Sequence, residues 1–457
     1  MDRRDRSRPR DLAGPTRRSV LAASLLAPVA ARGQGGPAEP VPPILFVHGN
    51  GDTAALWLTT LWRFETNGVG RDRMLALDIP DPLARSDDAV PQPNRSSTED
   101  QRRAVAEGVR ALRDRTGAAR VALVGNSRGG YGIRSYIRSG ASDVSHAILC
   151  GVPNHGVHAW DEGLGSEFNG RGPFLSGLNG GPREADEGPA WLTLRSDGYD
   201  KFAQSDGAAL GRPGRPTHVT SDGPALTGAT NLVLGRLDHR EVAYGPRAFA
   251  EMIRFLPGRP PDRLAIVPET RVVLDGLVTG LAGGVATNRP VAGATVEIHR
   301  VDPETGERRG DMLHGRTTGA DGRWGAVTVA PTDALEFVLA VPGHPTAHLY
   351  RSPFPRSSEI VHLRPPRPLA GPDAAAGAVV TMVRPRGYFG LPRDAIALDG
   401  RVPGDVTPGV PVDAATTVRL DASGIGRPVV GQFRLERIVA RAWPASENRI
   451  AIVELTG

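Results

Sequence analysis

Gly125-Asn126-Ser127-Arg128-Gly129 follows directly on the apolar run Val121-Ala122-Leu123-Val124 and leads into a segment where Tyr131, Ile133 and Tyr136-Ile137 recur at helical spacing. A short unbroken apolar run is the pattern of a strand buried on both faces. The chain must therefore leave a buried strand and enter a helix within a few residues. A turn that sharp leaves no room for side chains beside the serine, so the flanking glycines meet a steric demand. Ser127 is lifted above the strand, near the N-terminus of the helix. This stretch commits its part of the chain to a strand–turn–helix unit inside a helix-covered sheet.

The same alternation extends to either side. Ile44–Val47, Met74–Ile79, Ala147–Leu149, Trp191–Leu194 and Asn231–Leu234 read as further short strands. One helix is expected from Ser96, with Glu99 closing a capping box, through Val105, Val109 and Leu112 to Gly117; another runs from Pro246 to Phe255. Apolar strands alternating with amphipathic helices imply a mostly parallel sheet with helices on both faces, an α/β fold. Between Pro153 and Pro189 the chain is rich in glycine, with Phe168, Phe174, Leu175 and Leu178 as apolar islands. That stretch is too long for an ordinary connection and reads either as a lid or as surface packing.

The period changes to two beyond the proline-rich stretch Pro257 to Pro268. Val272–Leu274, Ala294–Ile298, Val327–Val329, Leu335–Leu339 and Ile360–Leu363 are expected strands, and Asp321-Gly322 is a hairpin signal. Gly293-Ala294-Thr295-Val296 and Thr318-Gly319-Ala320-Asp321-Gly322-Arg323-Trp324 resemble a transthyretin-like, carboxypeptidase-regulatory module. After a second linker, Pro365 to Pro372, strands are expected at Val379–Val383, Thr417–Leu420, Phe433–Ile438 and Ile450–Leu455. The expected organisation is a signal and linker over 1–36, an α/β domain over 37–258, a β-sandwich over 268–365 and a β-rich domain over 373–457.

A formal charge of +5 raises the question of a nucleic-acid partner, but seven arginines against three aspartates precede Arg32, so most of the excess sits there. The rest of the chain has no basic block interleaved with aromatics, and nucleic acid is set aside. In the N-terminal segment, Arg17-Arg18 stand just before the apolar run Val20 to Ala31. A membrane span needs about 20 apolar residues, so this run is too short for one. It resembles a twin-arginine signal, which implies passage through that export machinery to the periplasm or outside; no transmembrane segment is expected. Cys150 is the only cysteine, which excludes an internal disulfide, and its apolar setting suggests a buried thiol.

A serine hydroxyl needs a base within hydrogen-bond reach and a third group to orient that base. His239 lies in Gly235-Arg236-Leu237-Asp238-His239, between the last strand and the last helix of the α/β region; His218 has no strand ending just before it. His155 and His158 precede the candidate acids, and with Asp161 they only imitate a metal site. Asp197 and Asp200 both follow the strand Trp191–Leu194, while Asp238 adjoins His239 and is a poorer acid. The oxyanion requires two backbone N–H donors. One is that of Arg128, after the serine. The other is expected from the loop after the first strand; His48-Gly49 there resembles the His-Gly turn of many α/β-hydrolases, which implies Asn50 as the donor, with the His48 ring bracing the loop.

Together, Val47-His48-Gly49-Asn50-Gly51, the stretch around Ser127, Gly151-Val152-Pro153-Asn154-His155-Gly156, Phe174-Leu175-Ser176-Gly177-Leu178-Asn179, Ser196-Asp197-Gly198-Tyr199-Asp200 and Leu237-Asp238-His239 resemble the bacterial lipase and esterase group of α/β-hydrolases. The resemblance covers Pro43 to about Phe255. It implies an α/β-hydrolase fold and carboxylic ester hydrolysis through Ser127, His239 and Asp200, with Asp197 as the alternative acid and no cofactor. Lipid and polymer esters are among the substrates this implies. A polyester depolymerase, an amidase, or a non-catalytic exported binding protein are the alternatives. Phe174, Leu175 and Leu178, with Trp57 and Leu58, are expected to form an acyl pocket. Few contacts are expected to cross Pro257–Pro268, so a chain ending near Gly258 is expected to fold and act alone, with the β modules docking on a partner or an insoluble substrate.

Overall fold

In the computed structural model, β1 (Ile44–Val47), β2 (Met74–Ala76), β3 (Val121–Asn126), β4 (Val144–Cys150), β5 (Ala190–Arg195) and β6 (Thr230–Val233) pair in the order β2-β1-β3-β4-β5-β6, each pair parallel. The structure describes residues 41–256, 260–385, 391–408 and 414–456. The twin-arginine segment and the expected cut near Gly258 lie outside the described residues. β1 and β3 are buried along their whole length, as strands covered on both faces must be. Helices α1 (Leu58–Thr66), α2 (Thr98–Thr116), α3 (Arg128–Arg138), α4 (Pro173–Leu178), α5 (Glu241–Tyr244) and α6 (Pro246–Phe255) accompany the sheet. Alternate strand residues serve opposite layers: Phe46, Val124 and Ile148 pack with Trp57, Phe64 and Phe249, whereas Leu45, Leu123 and Leu149 pack with Val105, Val109 and Ile133. This is an α/β-hydrolase fold followed by smaller β-sheet domains. Among the described residues no helix is long and apolar enough to cross a membrane.

The capping box of α2 is one residue later than expected. Ser97 Oγ accepts from the Asp100 N–H at 3.1 Å, and Asp100 Oδ2 accepts from the Ser97 N–H at 2.8 Å. Ser96 is drawn away instead: its hydroxyl donates to Asp81 O at 2.6 Å and accepts from Arg128 Nη1 at 2.8 Å. Gly117 closes the helix with φ +67°, a conformation that favours glycine.

Strands from both β segments form a single larger sheet. Its order is His314–Thr317, Thr295–Arg300, Leu335–Ala340, Thr346–Arg351, Arg449–Glu454, Ala378–Val383, Ala415–Leu420. The parallel pairing of Thr346–Arg351 with Arg449–Glu454 carries this sheet across the linker Pro365–Pro372. Three local expectations are corrected. Ile360–Leu363 is not a strand; Leu363 makes an isolated bridge to Val278. Phe433–Ile438 is not one strand but spans a hairpin: Arg434 and Leu435 turn the chain between the strands Pro428–Phe433 and Glu436–Arg441, with Leu435 fully exposed at the tip. Gly322 turns the chain with φ +64°, but the strands on either side, His314–Thr317 and Val327–Val329, join different sheets. Period two reports which side chains are buried and does not name the partner strand.

The expectation of a sparsely crossed boundary at Pro257–Pro268 is overturned. Leu58 and Trp62, four residues apart on α1, lie in one apolar cluster with Phe337, Leu349 and Phe354 of the β region. That spacing puts both on one helix face, which needs a cover, and the β region supplies it. Polar contacts surround this core: Arg356 pairs with Glu65 at 2.9 Å and Arg289 with Asp81 at 2.7 Å, and His362 Nε2 lies 2.7 Å from Asp78 Oδ2.

Candidate active site

β3 ends at Asn126, and Ser127 stands between strand and helix with φ +51° and ψ −124°, a strained conformation for a residue with a side chain. The space beside it explains the glycines. A Cβ on Gly125 would stand 2.7 Å from Ile133 Cδ1, and one on Gly129 only 2.4 Å from Val47 O. The Ser127 N–H donates to Cys150 O at 3.0 Å, so the turn is tied to the next strand. Cys150 itself is a buried free thiol whose pKa burial pushes up.

His239 is 3% exposed, and its Nδ1 lies 2.9 Å and 3.0 Å from the two carboxylate oxygens of Asp200. Phe202 packs its ring edge-on against the imidazole, 4.6 Å between centroids. Asp197 faces elsewhere: its oxygens accept the N–H of Arg236 at 2.8 Å and of Tyr199 at 3.2 Å, which shapes the turn. Asp238 Oδ1 accepts the N–H groups of Arg240 and Glu241, each at 2.9 Å. His218 is exposed and lines a neighbouring cavity. His155 bonds Glu184 at 2.7 Å, His158 stacks on Trp160, and Asp161 pairs with Arg171 at 2.7 Å. Among the described residues no three His, Cys, Asp or Glu side chains converge as for a metal.

Ser127, His239 and Asn50 line one cavity of about 250 Å³, walled by Leu83, Val157, Phe168, Phe202 and Leu210. The expected acyl pocket is corrected here. Leu175 and Leu178 pack with Phe174 against Tyr131, Trp57 belongs to the core under the sheet, and Leu58 faces the β region. Apolar residues in the segment between Pro153 and Pro189 thus serve its own packing, and Phe168 alone of the named islands reaches the cavity. A Cβ on Gly49 would stand 3.0 Å from Ser127 Cβ, so the His48–Asn50 loop lies directly over the serine. Arg128 is the first residue of α3, where backbone N–H groups have no partner within the helix. His48 Nδ1 donates to Gly49 O at 2.9 Å, and Nε2 accepts from the Ile79 N–H at 3.1 Å. Burial holds this imidazole below its ordinary pKa, so it stays neutral and braces the loop.

Four side chains that sequence reasoning left without a role shape the surroundings. Arg128, fully buried, forks onto Glu167 at 2.5 Å and 2.8 Å and also donates to Ser96 and Pro82, tying the segment that carries Glu167 to the loop before α2. Burial pushes the Glu167 pKa up, and the Arg128 charge opposes that rise. Asn126 Nδ2 donates to His239 O at 3.2 Å. Arg240 pairs with Asp52 at 2.5 Å, joining the histidine loop to the loop after β1. Asn288, from the β region, donates to Asp52 O at 2.7 Å and Ile79 O at 3.0 Å. An arginine inside an otherwise small, tight turn was the one local signal, for Arg128; the others depend on distant partners.

Residues 270–368 match a family described as the lipase C-terminal domain. No curated protein matches the chain. Solved structures similar to it include a gene product of Listeria innocua, at 16% identity over 49% of this chain and 97% of that one, TM-score 0.34. Aspergillus fumigatus lipase B is similar at 18% identity over 51% and 56%, TM-score 0.34. Carboxylesterase CesB of Bacillus subtilis is similar at 15% identity over 48% and 85%, TM-score 0.28.

Proposed function

We propose that this protein is an exported serine hydrolase that cleaves carboxylic esters, with Ser127 as nucleophile, His239 as general base and Asp200 as the acid that orients it. The observation that carries the proposal is the buried His239–Asp200 contact opening into the cavity that also holds the strained Ser127. The match of residues 270–368 to a lipase C-terminal domain adds support. Ser127 attacks the ester carbonyl while His239 takes its proton and passes it to the leaving alcohol. The N–H groups of Asn50 and Arg128 receive the oxyanion. Water, activated by the same histidine, releases the acyl group, and no cofactor takes part. Export follows the twin-arginine route.

Hydrolysis of short and long p-nitrophenyl esters, with labelling by a fluorophosphonate, tests this reading. Ser127→Ala is expected to abolish both turnover and labelling. Labelling that persists in that variant would sink the assignment.

A further inference from the structure

The loop that carries His239 is gripped by a side chain from the far end of the chain. Arg393, 7% exposed, donates from Nη1 to Glu241 Oε2 at 2.5 Å and to Arg236 O at 2.9 Å. Its Nη2 donates to Asp238 Oδ2 at 3.3 Å and to Asp394 Oδ2 at 2.7 Å. Its guanidinium carbon lies 5.5 Å from the centre of the Tyr199 ring. Arg236, Asp238 and Glu241 surround His239 in sequence, and Tyr199 immediately precedes Asp200. One guanidinium therefore touches both the loop of the proposed base and the loop of the proposed acid.

The rest of the cluster makes this grip specific. Asp394 accepts from Arg393 and, through Oδ1, from Arg434 Nε at 2.7 Å, which orients the two arginines side by side. Arg434 also pairs with Glu241. Glu241 in turn accepts the Asp238 N–H at 2.8 Å, closing the loop on itself. Asp238, Glu241 and Asp394 are each nearly inaccessible to solvent. Buried carboxylates this close repel unless cations share the space. Without Arg393, Glu241 keeps Arg434, but Asp238 and Arg236 O lose this guanidinium, and the His239 and Tyr199 loops lose a group that touches both.

We infer that Arg393 is a positioning residue for the proposed Ser127–His239–Asp200 reaction, setting the base loop against the acid loop without touching substrate. This inference rests on the function proposed above. It makes the C-terminal β segment part of the machinery that aligns the site.

The test compares the full-length wild type with Arg393→Ala and Arg393→Lys. Turnover on a soluble p-nitrophenyl ester is normalised to active sites titrated with fluorophosphonate, and amide exchange is followed by mass spectrometry. A misplacement of about 1 Å can cost on the order of 100-fold in rate, so Arg393→Ala should lower kcat per titrated site by about that factor with KM within about twofold. Guanidinium ion below denaturing concentration should restore part of that loss. Amides of 236–241 should exchange faster while those of α2 keep their protection. A lysine can reach Glu241 but cannot fork or stack, so Arg393→Lys should lose roughly tenfold. Unchanged kcat per titrated site, or unaltered exchange at 236–241, overturns the inference. If Arg393→Ala proves insoluble, Arg393→Lys decides by the same two readings. A wild type without ester turnover refutes the proposed function instead, and the exchange measurement still decides whether Arg393 holds the loop.

Discussion

Trp62 of α1 donates its indole N–H to Ser357 O at 3.0 Å and meets the Phe354 ring edge-on, 6.3 Å between centroids. The α/β layer and the β region therefore share one apolar core at this point, and neither surface is finished without the other. Truncating a buried aromatic costs about 3–5 kcal/mol, so Trp62→Ala should lower the unfolding free energy by that order in urea titration. A chain ending near Gly258 should be insoluble or inactive even on a soluble ester. A soluble, fully active fragment would show that the interface is dispensable.

Asp200 and Asp197 sit three residues apart in one loop, yet only Asp200 reaches His239. If Asp200 orients His239 as proposed, its loss costs roughly 10⁴ in turnover, as in serine–histidine–aspartate triads. Asp200→Asn should approach that loss, whereas Asp197→Asn should cost less than about tenfold, since it disturbs only turn hydrogen bonds. Steady-state kinetics of the two variants checks the ranking, and the reverse order would transfer the role to Asp197.

His48 supplies a pH dependence of stability. In the unfolded chain it takes a proton near the ordinary value of 6.5, whereas burial keeps it neutral to lower pH in the folded protein. Below that value the unfolded state binds more protons, so this contribution is fully present above about pH 6.5 and is lost as pH falls. His48→Gln keeps an acceptor for the Ile79 N–H and removes the titration. Its melting temperature should therefore fall less than that of the wild type between about pH 7 and pH 5. Parallel melting curves against pH would rule His48 out as a source.

The twin-arginine reading of Thr16-Arg17-Arg18-Ser19-Val20-Leu21 predicts that replacing Arg17 and Arg18 together by lysine leaves precursor in the cytoplasm. Cell fractionation and immunoblotting measure it. Export at the wild-type level would argue for another route.

The strand–helix alternation from Ile44 to Phe255 could be read in the sequence because it is written in local terms. Apolar runs mark strands buried on both faces, and the glycines around Ser127 mark a turn that admits no Cβ. The two foremost candidate acids, Asp197 and Asp200, were also legible in the sequence, in a single loop. Beyond that, local rules fall silent. Asp200 meets His239 across 39 residues, Arg393 meets Glu241 across 152, and Trp62 meets Ser357 across 295. None of these pairs leaves a periodic trace, because each is set by which loops and layers come together on folding. For the same reason the proline-rich stretch Pro257–Pro268 looked like a boundary. Local composition reports a break in regular structure, whereas only the packed fold determines whether the two sides bury a common core.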